Sequence, residues 1–88
     1  MEDKIRELLH GKLDDLNLVV DSVVYEKEGS EMFLRICLDS EDVIDLDKVV
    51  LATKIIDPIV EDADLIREKY ILEVYGKSKG SGLDEKED

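Results

Sequence analysis

The sequence has no tryptophan, one phenylalanine, one proline, one histidine and one cysteine among its 88 residues. A lone thiol, Cys37, forms no internal disulfide and supplies too few ligands for a zinc site, which fits a reducing compartment. No apolar run approaches the roughly 20 residues needed to span a bilayer. The acidic start Met1-Glu2-Asp3 lacks the basic opening and apolar stretch of a secretory signal, so a cytoplasmic location without membrane contact is expected. Basic residues are also scarce, at 12 Lys and Arg against 24 acids for a net charge of −12. Affinity for nucleic acid comes mainly from neutralising phosphates with Lys and Arg, so this balance disfavours direct binding of RNA or DNA over a broad face. No glycine lies between Gly29 and Gly76, which excludes a GXXG RNA-clamping loop there.

What is present fits one small domain with an aliphatic core, since 88 residues hold too little apolar surface for two. Residues 77–88 carry three Lys and four acids, so the tail contributes −1 and the body the remaining −11. Such charge keeps a small protein soluble and monomeric, and it also suits an acidic docking face for a basic partner.

Ile5, Leu8, Leu9, Leu13 and Leu16 fall at helical spacing, which predicts an amphipathic helix ending near Asn17, a residue suited to a left-handed cap. The Val-rich stretch 18–27 and the alternating run Met32, Leu34, Ile36, Leu38 read as an antiparallel hairpin turning at Gly29. Asp45 stands at an N-cap position with Asp47 in the first turn of a second helix, whose apolar face is Val49, Ala52, Thr53, Ile56 and Val60. Pro58 is expected to kink or end that helix near Asp57. Tyr70, Leu72 and Val74 alternate in a third strand. The predicted fold is therefore α+β, a two-layer sandwich in the order helix-strand-strand-helix-strand, with two helices on a three-stranded mixed sheet. A right-handed crossover makes the third strand parallel to the second, either beside it or on the far side of the first. The domain is expected to span residues 1–75 and a flexible tail residues 76–88.

No pattern of catalytic chemistry emerges. Gly76-Lys77-Ser78 has Ile71 where a phosphate-binding P-loop needs its first glycine. A calcium loop counted from Asp39 has Ile44 at its glycine position and Val50 at its bidentate carboxylate position. His10 lies off the apolar stripe with no second imidazole, and reads as a surface residue. Cys37 falls on the strand face opposite Leu34, Ile36 and Leu38, an exposed position by alternation, with no histidine near it in sequence. No enzyme activity, cofactor or metal site is expected.

Three segments carry a family resemblance. Leu18 to Asp39 (LVVDSVVYEKEGSEMFLRICLD) resembles the first hairpin of the RimP ribosome maturation factors, Ile44 to Val60 (IDLDKVVLATKIIDPIV) resembles their helix, and Asp64 to Val74 (DLIREKYILEV) resembles their closing strand. With the first helix the resemblance covers about residues 1–75. In that family Ser-Ser-Pro-Gly-Leu-Asp-Arg-Pro and an SH3-like barrel follow. Here Tyr75-Gly76-Lys77-Ser78-Lys79 intervenes, Gly82-Leu83-Asp84 remains, and Glu85 stands where the arginine would be. The chain is thus expected to be either a truncated N-terminal domain or a stand-alone relative.

The resemblance implies a non-catalytic assembly factor that aids maturation of the small ribosomal subunit and contacts a basic ribosomal protein, in keeping with the acidic body. The expected contact residues are Asp39, Glu41, Asp42, Asp45 and Asp47, followed by Glu73 and Tyr75 near the tail junction. The alternative is a stand-alone acidic interaction domain, or a regulatory domain that self-associates through an exposed strand edge.

Overall fold

Leu34, Ile36 and Leu38 alternate along one strand and are wholly buried, so the inward face of that strand sits at the centre of the core. A computed structural model describes residues 1–77 and builds around this strand. The order is α1 (Glu2–Leu9), a short 3-10 turn (Asp14–Leu16), β1 (Val19–Glu28), β2 (Glu31–Asp39), α2 (Leu46–Ala63) and β3 (Ile71–Gly76). The expected α+β sandwich is therefore present, with two helices and a three-stranded mixed sheet. Residues 78–88, most of the expected tail, lie outside the described residues.

The sheet order is β1-β2-β3, with β1 antiparallel and β3 parallel to β2. Of the two positions the sequence left open for the third strand, it takes the one beside β2. Gly29, at φ +66°, makes the two-residue hairpin turn between the paired Glu28 and Glu31. Ile5 and Leu9 from α1, Leu13 and Leu18 from the segment after it, and Ala52, Ile56 and Val60 from α2 close over the inner sheet face. Burying each large aliphatic side chain of this set contributes about 1.5–3 kcal/mol.

Two expected boundaries move. The first helix stops at Leu9 rather than near Asn17, because Gly11 takes a left-handed φ of +76° that an α-helix cannot contain. Short turns, Lys12 N–H to Leu9 C=O and Leu16 N–H to Leu13 C=O, then keep Leu13 in the core. Asn17 still caps this segment in the left-handed region at φ 59°. The second helix runs through Pro58 to Ala63. Pro58 and Lys54 both lie on its exposed side, so water can satisfy the carbonyl that the ring leaves without a donor, while Ile56 and Val60 stay buried.

Side chains of α1 cover the outer edge of β1. Glu2 accepts the Tyr25 N–H at 2.7 Å and Arg6 donates to the Asp21 carbonyl at 3.0 Å. These bonds occupy backbone groups that an open edge would offer to another strand.

Candidate functional site

The connection from β2 to α2, taken with the last residue of β2 and the first turn of α2, carries five of the seven expected contact residues, and local hydrogen bonds fix its path. Asp39, half-buried at the end of β2, accepts the Ser40 N–H at 2.8 Å, and Ser40 Oγ accepts the Asp42 N–H at 3.1 Å. Asp42 Oδ2 accepts from Asn17 Nδ2 at 2.8 Å, which ties the connection to the left-handed residue before β1. Asp45 caps α2 as expected, its Oδ1 taking the Lys48 N–H at 2.9 Å. Asp47 lies in the first turn of α2, where a carboxylate favours the positive end of the helix dipole. Glu41, Asp42, Asp45 and Asp47 are all exposed, and among the described residues none of the four forms an ion pair.

A cleft of about 510 Å3 opens between this connection and the 3-10 turn, lined by Asp14, Asn17, Leu18, Val19, Asp39, Ser40 and Glu41. Sequence reasoning named Asn17 only as a cap and did not name Asp14 as a contact residue. Pairing them with the connection requires knowing that the chain turns at Gly11 and Asn17 and brings the start of β1 beside the end of β2, where Val19 pairs with Asp39.

Glu73 and Tyr75 belong to a different surface, the sheet face away from the helices. Arg35 collects three carboxylates there: Nε meets Glu73 at 2.6 Å, one terminal nitrogen meets Glu26 at 2.6 Å, and the other pairs with Glu28. Hydrogen bonds to Glu28, Glu73 and Glu26 hold the guanidinium well above its ordinary pKa. Its carbon lies 4.5 Å from the centre of the Phe33 ring, a cation–π distance. Glu73 is thus committed to an internal partner. Tyr75 pairs in register with Cys37, two positions before Asp39 on the same strand face, and so sits closer to the acidic connection than Glu73 does.

Cys37 does not occupy the exposed position that alternation suggested. It faces away from the helices yet is only 6% exposed, covered within this outer layer. Burial, followed by the charge of Asp21, raises its pKa. The same cause, burial first and the Cys37 thiol next, raises that of Tyr75. A thiol held above its usual range is a poor nucleophile at neutral pH. The Arg35 cluster was missed because it joins residues of all three strands, although Glu26, Glu28 and Arg35 each fall on the outward positions of an alternating pattern.

Among the described residues, no group of three or more His, Cys, Asp and Glu side chains is placed to hold a metal ion, and no helix is long and apolar enough to cross a membrane. In comparison with known families, residues 8–78 match the model of the RimP N-terminal domain, which covers both α2 and the whole sheet.

Proposed function

The chain belongs to the RimP N-terminal domain family of ribosome maturation factors, and on that premise we propose that it is a non-catalytic module of the cytoplasm. In this reading it aids maturation of the small ribosomal subunit by binding a basic ribosomal protein, and it works as a monomer without cofactor or membrane contact. Docking runs through the acidic connection Asp39 to Asp47, with Tyr75 at its margin. Glu73 enters only if it exchanges Arg35 for a partner's cation.

The observation that carries this reading is that, among the described residues, Glu41, Asp42, Asp45 and Asp47 form no ion pair. A cationic partner arriving there breaks no existing salt bridge, and the uncompensated field steers it in. Nucleic acid is repelled by the same field.

The test is sucrose-gradient sedimentation of lysate. The chain should run with free small subunits at low salt, leave them at high salt, and be absent from whole ribosomes. Among the described residues Glu41 and Asp47 have no side-chain hydrogen-bond partner, so the double change Glu41→Gln and Asp47→Asn should weaken comigration without unfolding the protein. A chain that stays at the top of the gradient under gentle conditions would count against the ribosomal role. Light scattering would then test self-association through the free edge of β3, since α1 covers that of β1.

A further inference from the structure

Val43 and Leu46 are the most exposed large apolar side chains among the described residues, at 84% and 76%, and both lie within the acidic connection. Val50, 45% exposed, follows one turn beyond Leu46 on the same side of α2. An aliphatic side chain gains nothing by facing water, and a connection needed only for solubility has no use for two of them between Glu41, Asp42, Asp45 and Asp47. The fold explains how they are held outward. Ile44, between them, turns inward over the end of β3, so close to Gly76 that a Cβ there would lie 3.2 Å from it. With Ile44 pinned on one side, Asp42 bonded to Asn17 and Asp45 bonded to the Lys48 N–H, the two flanking side chains splay to the surface in a fixed arrangement. The surface is therefore organised before any partner arrives.

Resting on the docking reading above, we infer that this surface takes a polypeptide segment in which apolar side chains alternate with lysine or arginine. The apolar side chains seat on Val43 and Leu46. A cationic side chain enters the adjacent cleft, where Leu18 and Val19 meet its aliphatic stem and Asp14, Asp39 and Glu41 meet its charge. Charge complementarity selects this occupant. An RNA phosphate or an anionic lipid surface is repelled by the carboxylates, and a second copy of a chain of net charge −12 brings the same sign to the contact. Charge gives steering and register, while affinity comes from the apolar pair.

Fluorescence anisotropy on the full chain separates these contributions, with two labelled peptides of equal length and charge as probes, one alternating lysine with leucine and the other lysine with serine. The inference predicts that the leucine peptide binds at least about tenfold more tightly, the effect of burying one or two aliphatic side chains. Val43→Gln with Leu46→Gln should abolish that preference and leave the serine peptide's affinity unchanged. Val43→Gln alone, outside the helix, gives the same result in part should the double variant fold poorly. Glu41→Gln should weaken both peptides. Equal binding of the two peptides by the unaltered chain overturns this inference and leaves charge-driven docking standing. Failure of both peptides to bind at low salt overturns both readings. Tighter binding of an RNA oligonucleotide, or a preference for leucine that survives the double change, assigns the surface elsewhere and also overturns the inference.

Discussion

Around Arg35 and along the connection from Glu41 to Asp47, the same chain handles clustered carboxylates in opposite ways. On the outer sheet face three glutamates from β1 and β3 converge on one guanidinium, stacked on Phe33, and each carboxylate has a cationic partner. On the connection Asp42 and Asp45 each use one oxygen to fix a turn or a helix start, Glu41 and Asp47 face solvent, and exposed aliphatic side chains lie among them. The first cluster satisfies itself and ties three strands together. The second retains its charge, so a partner meets it without first breaking a salt bridge. The difference teaches that net charge is a poor guide to docking until internal partners are subtracted.

The comparison assumes one rigid scaffold under both clusters, and the largest expected effect tests that. Ile36→Ala removes a fully buried side chain from the central strand and should cost about 2–5 kcal/mol in urea unfolding. A smaller loss would mean the two clusters do not share a core. Next is Asp45→Ala, which deletes the cap of α2 and should cost about 0.5–2 kcal/mol. No loss would place Asp45 with the carboxylates free for a partner.

A pH test adds a further partnered carboxylate, Glu68, which accepts from the Tyr25 hydroxyl at 2.7 Å. Partial burial, followed by the hydrogen bond to Glu68 and its charge, raises the Tyr25 phenol from 10.0 to about 12. A group with a raised folded pKa contributes stability that is fully present below its unfolded value and is lost as pH rises through the folded one. Melting temperature should therefore fall between pH 10 and pH 12, and Tyr25→Phe should flatten that fall. An unchanged slope would mean that the hydrogen bond from Tyr25 to Glu68 contributes no stability.

The smallest effects set the two clusters directly against each other. Arg35→Gln leaves three clustered carboxylates without their cation and should lower the urea midpoint. Glu41→Gln should stay within about 0.5 kcal/mol of the unaltered protein, because its side chain has no hydrogen-bond or ion-pair partner to lose among the described residues. Equal destabilisation by both changes would erase the distinction.

Much of this architecture was legible along the chain, because local chemistry and packing agree there. Alternation at Leu34, Ile36 and Leu38 located the central strand, and Asp45 was identifiable as a cap from its place before an apolar helical stripe. Gly11 and Pro58 misled in opposite directions. Propensity undercounted the left-handed turn at Gly11, while burial of Ile56 and Val60 carried the helix past a proline whose cost falls on its wet side. At the candidate site, the run from Asp39 to Asp47 was visible as a cluster of acids. The cleft with Asp14 and Asn17, the triple pairing of Arg35 and the covering of Cys37 were not, since each depends on which strands and turns become neighbours.

Amide chemical-shift mapping of the isotopically labelled chain, titrated with the basic ribosomal protein proposed as its partner, tests the docking claim most directly. The account predicts salt-sensitive shifts concentrated at residues 39–50 and at the facing residues 14–19, with the amides of Phe33, Arg35 and Glu73 little changed. Shifts centred on Arg35 and the outer sheet face, with the connection unmoved, would contradict it.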